Sequence, residues 1–370
     1  MSKIFLDDPN LGELEKEYLI KAVDSNFIST IGPFVTKFED KFAEYIGADK
    51  AVSTQSGTAA IHMALYQLGV ADDDEVIVPA ITFIATINPI LFVRAKPVII
   101  DVDPLTWNID PREIKKAISK KTKAIILVHL YGSVCNIEEI IKLARENNLS
   151  VIEDATESLG AIYKNRQTGT FGDFGCFSFN GNKLITTGGG GMIISNDQRK
   201  IEHIKFLVNQ ARDASRGYYH PELGFNYRMT NLEAALGLAQ LTRIKDFLKK
   251  KVRFRKIYQE KLKNLPGIEF QQTSDNTIGS WWLTCIKDCS EHVNINNLMN
   301  NLKEKDVLSR RIFMPVCKMP YLKKFTKPCP NAFDIYNRSI CLPSSTLNDE
   351  KTINRAALII QEILRNRGKK

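Results

Sequence analysis

Apolar and polar residues follow one another in two rhythms along the first two-thirds of the chain. Short apolar runs bounded by polar or turn-forming residues read as buried strands. They are EVIVP at 75–79, KPVIIDVD at 96–103, KAIILVHLYG at 123–132, LSVIEDA at 149–155, GCFSFN at 175–180 and GGMIIS at 190–195. Between them lie stretches with apolar positions three and four apart, the spacing of a helix buried on one face. SGTAAIHMALYQLGV at 56–70 is one, and NIEEIIKLARENN at 136–148 is another, with Asn136 placed as an N-cap. Strands that alternate with helices predict an α/β fold with a mostly parallel central sheet flanked by helices.

From about Leu232 the rhythm changes. Residues 231–265 read as one or two long helices, SWWLTCIK at 280–287 as a strand, and 294–307 and 351–366 as helices. This pattern predicts a large domain over 1–245 and a smaller α+β C-terminal domain over 246–370. The chain contains no internal repeat and no low-complexity tract.

Composition narrows the class. A hydrophobic content of 44% and a charged content of 25% suit a globular protein. No apolar run approaches the roughly eighteen residues of a membrane span. The first twenty residues lack the apolar centre of a signal peptide, so a cytoplasmic location is expected. Seven irregularly spaced cysteines without a C-x-x-C pair predict reduced thiols, not a disulfide framework or a zinc site. The five histidines show no ligand spacing, so no metal is expected. The net charge of +9 is concentrated in KDFLKKKVRFRK at 245–256 and in the last six residues. These read as a solvated helix face and a frayed tail, and no groove-reading element suggests nucleic acid.

Ligands of open α/β sheets bind at the carboxyl ends of the strands. Three segments fall there: TQSGTAA near 56, EDATES near 154 and NGNK near 183. The stretch SFNGNKLITTGGGGMI at 178–193 suggests a nucleotide loop, yet it matches neither G-x-x-x-x-G-K-[ST] nor G-x-G-x-x-G. The residues fit a Schiff-base cofactor better. Pyridoxal 5'-phosphate needs an amine, a carboxylate for its ring nitrogen, a flat group on its ring, and hydroxyls with backbone N–H groups for its phosphate. Lys183, Asp154, Phe83 and the SGT of 56–58 supply these in that order.

Together these segments resemble the DegT/DnrJ/EryC1/StrS family of nucleotide-sugar aminotransferases, within the aspartate-aminotransferase-like, fold-type I enzymes. The matching pieces lie at 31–65, 75–90, 95–103, 151–194, 223–241 and 340–345, dense over the first two-thirds and thin beyond. The resemblance implies that Lys183 bonds the cofactor and moves protons, and that Asp154 pairs with the ring nitrogen in preference to its neighbour Glu153. Gly57, Thr58, Ser178 and Asn180 correspond to the phosphate site, and Phe83 to the group stacked on the ring. Glu157 stands where relatives commonly carry glutamine. Asn226 corresponds to a residue that reaches the neighbouring subunit's cofactor, which implies a homodimer with shared sites. Thr30 falls in a segment that contacts substrate. Lys318 stands in a region where relatives read P-x-H, and serves either a diphosphate or a surface turn. The implied reaction is ping-pong. L-glutamate leaves pyridoxamine 5'-phosphate, which then aminates a keto-sugar nucleotide, expected to be a UDP-linked 4-keto-6-deoxyhexose for a surface glycan. A dTDP- or GDP-linked acceptor, amination at C3, and a non-catalytic cofactor-binding regulator remain open.

Overall fold

The computed structural model describes residues 3–291 and 294–366; residues 367–370 of the expected frayed tail lie outside them. Its centre is a seven-stranded sheet in the order Ala51–Thr54, Gly191–Ile194, Phe174–Ser178, Ser150–Asp154, Thr122–Val128, Glu75–Pro79, Lys96–Ile100. Six strands run the same way, and Gly191–Ile194 is antiparallel to both its neighbours. Ala124 to Val128 and Val76 to Val78 are buried without interruption. Such runs arise because helices cover both faces of a parallel sheet. Helix Ile137–Glu146 buries Ile137, Ile140 and Ala144 against it, the three-four spacing read from the chain. Asn136 occupies the N-cap position without capping: its side-chain amide donates to Glu139 instead.

The C-terminal module is built on an antiparallel sheet in the order Ile268–Phe270, Thr284–Asp288, Ser339–Leu342, Arg310–Arg311. Phe254, Ile286, Leu302, Ile340 and Ile353 share its core. Ile4 belongs to the same core and bridges Val307. The chain near Ile4 therefore pairs with this second module.

Two expectations are corrected here. The segment 280–287 is a strand only from Thr284, because Trp281 takes φ 51°, outside the extended region. Residues 231–265 hold two helices, Asn231–Thr242 and Ile244–Leu262, as the pattern allowed, but the charged residues of the basic segment in the second are not all solvated. Lys251 and Arg255 are buried. Lys251 Nζ donates to the carbonyls of Trp282 (2.8 Å) and Ser344 (2.6 Å). Burial lowers its amine to about 7, and a neutral amine has two hydrogens for those two acceptors. The Arg255 guanidinium lies 3.5 Å from the Trp281 ring centroid. The helix thus clamps both tryptophans from behind.

Candidate active site

The carboxyl ends of Ala51–Thr54, Ser150–Asp154 and Phe174–Ser178 meet at one edge of the sheet, where the antiparallel strand begins. Its first residue, Gly191, pairs with Thr54 on one side and Ser178 on the other. A Cβ there would stand 2.5 Å from the Ser56 carbonyl carbon, so only glycine lets the strand pass beneath the start of helix Gly57–Gln67. The Ser56 hydroxyl caps this helix by accepting from Ala59 N–H. The first N–H groups have no partner within the helix and face outward.

A cavity of about 340 Å³ opens at this edge. Gly57, Thr58, Ser178 and Asn180 line one end of it. A side chain at Gly57 would come within 3.0 Å of both Ser178 and Thr156, filling the space before the helix. Bare N–H groups, a hydroxyl on each side and the positive end of a helix are the fittings of a phosphate site. Phe83, half exposed, forms a wall beside Phe313, with ring centroids 5.5 Å apart.

Asp154 and Glu153 adjoin on one strand and so face opposite ways. Glu153 turns into the protein, where it accepts from the N–H groups of Gly169, Phe171 and Gly172. Its remaining donor is His129 Nε2, since His129 Nδ1 is itself accepting from Cys135 N–H. Asp154 faces the cavity. Its Oδ2 accepts from the Thr86 hydroxyl at 2.6 Å and its Oδ1 from Thr156 N–H at 3.2 Å. Thr86 has spent its hydrogen, so Thr82 donates to Thr86 at 2.6 Å.

Lys183 Nζ lies 3.6 Å from Glu157 Oε1 and 4.0 Å from the centroid of the Trp282 ring. Burial pushes the Lys183 amine down and the Glu157 carboxyl up, so both lean toward their neutral forms. Glu157 Oε2 accepts from Tyr131 N–H at 2.8 Å, which the left-handed Tyr131 backbone (φ 55°) aims at it. The Trp282 indole N–H donates to Asn182 O at 2.7 Å and so fixes the lysine loop. Asp7, from the amino-terminal segment, accepts from the Asn182 amide and pairs with Arg310, each at 2.9 Å. An amine, a buried carboxylate and a phosphate cradle in one cavity fit pyridoxal 5'-phosphate.

Three residues singled out in the sequence stand outside this lining. Thr30 accepts from Arg228 at 2.6 Å. Asn226 forms a backbone bridge with Asn209. Lys318 Nζ lies 5.3 and 5.5 Å over the Phe333 and Tyr336 rings. Conversely, Trp282 and Asp7 join the site from distant segments that no spacing in the chain announces, Arg310 joins it from the segment that carries Lys318, and Thr86 stands three residues after Phe83.

Comparison with known proteins agrees with this geometry. The sequence profile of the DegT/DnrJ/EryC1/StrS aminotransferase family matches residues 9–361. The chain belongs to this family. It is 41% identical over 355 residues to the GDP-perosamine synthase of Escherichia coli O157:H7, covering 95% of this chain and 96% of that one. It is 43% identical over 265 residues to the GDP-perosamine synthase of Caulobacter vibrioides, covering 72% and 71%. Spr1654 of Streptococcus pneumoniae, a sugar aminotransferase by its designation and solved in its PMP form, superposes with a TM-score of 0.91. That match has 25% identity and covers 100% of both chains. The protein is a pyridoxal-5'-phosphate-dependent aminotransferase. No helix among the described residues of the aminotransferase is long and apolar enough to cross a membrane.

Proposed function

We propose that this aminotransferase moves the amino group of L-glutamate to a GDP-linked 4-keto-6-deoxyhexose, yielding an amino sugar nucleotide for a surface glycan. The observation that carries this reading is Lys183, a buried amine in the same cavity as Asp154 and the start of helix Gly57–Gln67. When bound, pyridoxal 5'-phosphate supplies an electron sink for the charge left as a proton departs from the donor's α-carbon. Lys183 Nζ takes that proton and returns it, which requires the neutral amine that burial favours. Asp154, oriented by Thr86 and Thr156, holds a proton on the ring nitrogen. Gly57, Thr58, Ser178 and Asn180, which line the cavity, would hold the phosphate, and Phe83 would lie against the ring. Glu157 keeps a carboxyl beside Lys183 Nζ.

The chain alone suggested UDP. Two relatives that are GDP-perosamine synthases, one matched over 95% of this chain, favour GDP. We assign the protein to the cytoplasm, where nucleotide sugars are its substrates, and to a homodimer in which Asn226 and Thr30 serve the neighbouring subunit's site. Exposed Phe27, Ile28 and Ile31 support the dimer, because they adjoin Thr30 and so give its surroundings an apolar face for a second copy.

The test is spectroscopic. L-glutamate should convert the yellow holoenzyme to its amine form, and GDP-, UDP- and dTDP-linked 4-keto sugars are then compared for restoring the colour. GDP should restore it fastest. No conversion by glutamate defeats the donor assignment, and faster recovery with UDP defeats the nucleotide assignment.

A further inference from the structure

The geometry points to Cys317 and Cys329 as a reversible oxidation site, a dithiol that hydrogen peroxide converts to a disulfide. The two residues stand twelve positions apart in the chain, on segments tied to neighbouring strands of the central sheet. Val316 N–H donates to Ala80 O at 2.8 Å, just past strand Glu75–Pro79. The N–H groups of Asn331 and Ala332 each donate to Asp101 at 2.9 Å, just past strand Lys96–Ile100. Those strand ends adjoin, because Pro79 pairs with Ile100 and Ala80 N–H donates to Ile100 O at 2.8 Å. Cys317 directly follows Val316, and Cys329 directly precedes helix Pro330–Arg338, so the sheet holds the two backbones side by side. Their thiols lie within hydrogen-bonding reach of each other.

Exposure gives the two thiols different parts. Cys317 is partly exposed, whereas Cys329 is buried among apolar neighbours. The hydrogen bond from Cys329 and the adjacent Lys318 ammonium hold the Cys317 thiol below its ordinary value. The same bond and burial push the Cys329 thiol up. The thiolate is the attacking form, so Cys317 reacts first and Cys329 resolves. The Cys317 thiolate attacks one peroxide oxygen and gives up two electrons. The O–O bond breaks, a sulfenic acid forms, and the departing hydroxide takes up a proton as water. The Cys329 sulfur then attacks the Cys317 sulfur. The S–S bond forms, the S–O bond breaks, and the hydroxide leaves as water with the Cys329 proton. Two thiols and one hydrogen peroxide thus become one disulfide and two waters. A second thiol pair lacks this access. Cys285 and Cys341 are cross-strand partners with sulfurs 3.5 Å apart, yet both are wholly buried, and burial pushes the Cys285 thiol well above its ordinary value. Cys289 is partly exposed, but its thiol is raised as well.

The experiment treats wild-type holoenzyme with hydrogen peroxide, blocks free thiols with N-ethylmaleimide and maps the peptides without reduction. A Cys317–Cys329 link within one chain should form first. It should form at least about tenfold faster than a Cys285–Cys341 link or modification of Cys289, and dithiothreitol should restore both thiols. Cys329→Ser removes the resolving thiol, so dimedone should label Cys317 in place of the link. Cys317→Ser should leave Cys329 unoxidised at the same dose. Absorbance of the bound cofactor checks that each variant is folded, and the wild-type map decides alone if one is not. A first link between other cysteines or between two chains, or a Cys317 thiol no faster than Cys289, would overturn the inference. Oxidation of Cys317 past the sulfenic acid in wild type, without a link, would overturn it too, because Cys329 would then not resolve it.

Discussion

Lys183 and Glu157 form a pair whose charges burial suppresses, yet each also steadies the other's charged form. Glu157→Gln removes the carboxyl 3.6 Å from the amine, a carboxyl whose ionised form steadies the Lys183 cation. The Lys183 amine should then fall further, because burial continues to disfavour its cation and the opposing charge is gone. The pH-rate profile of the donor half-reaction should show the limb that reports the free amine moved down by about one unit. An unmoved limb would mean that Glu157 does not set the proton affinity of Lys183. At this scale the chain was legible where the chemistry is local. Lys183, Ser178 and Asn180 sit in one short stretch, and strand alternation separates Asp154 from Glu153. Trp282 and Asp7 were not legible, because the pairing of Ile4 with Val307 and the turn at Trp281 bring them in across the whole chain.

Among the elements, helix Gly57–Gln67 carries the phosphate end. Gly57→Ala places a methyl 3.0 Å from Ser178 Cβ and Thr156 Cγ2. The methyl presses on Ser178 and Thr156, which line the cavity, and so displaces the cradle while the helix, capped by Ser56, survives. Cofactor affinity should drop about tenfold or more while Tm moves only a few degrees, as read by cofactor titration and calorimetry. Helix Ile244–Leu262 carries the opposite lesson, since its basic pattern hid a buried lysine. The Lys251 amine titrates ordinarily at 10.5 and in the fold at about 7. Between those values the unfolded chain holds one more proton than the native one. Stability should therefore rise with pH in that window, by about 1.4 kcal/mol per unit at most. Urea midpoints of wild type should climb from pH 7 to about 9.5 relative to Lys251→Met, which lacks this slope. Parallel curves would show that Lys251 stays charged. A run of lysines and arginines gives no sign of which ones meet carbonyls, because that depends on the Trp282 and Ser344 backbones arriving from elsewhere.

For the whole molecule, the alternation of strands and helices was enough to predict the parallel sheet, since crossovers leave little choice of architecture. It did not show that the amino-terminal residues return to the second module, which only a long-range pairing reveals. The proposed dimer makes a prediction of the same range. Lys183→Ala and Asn226→Ala chains, each inactive alone, should on equal mixing and exchange regain about a quarter of the wild-type sites. No recovery, despite exchange shown by tagged subunits, would mean that each chain completes its own site.

The central claim is that Lys183 is the covalent anchor of the cofactor and the proton carrier of the reaction. Borohydride reduction of the holoenzyme followed by peptide mapping tests it most directly. The account predicts a single phosphopyridoxyl label on Lys183, absent from a folded Lys183→Ala variant whose turnover is lower by at least about a thousandfold. A label on any other lysine, or turnover that survives the substitution, would contradict it.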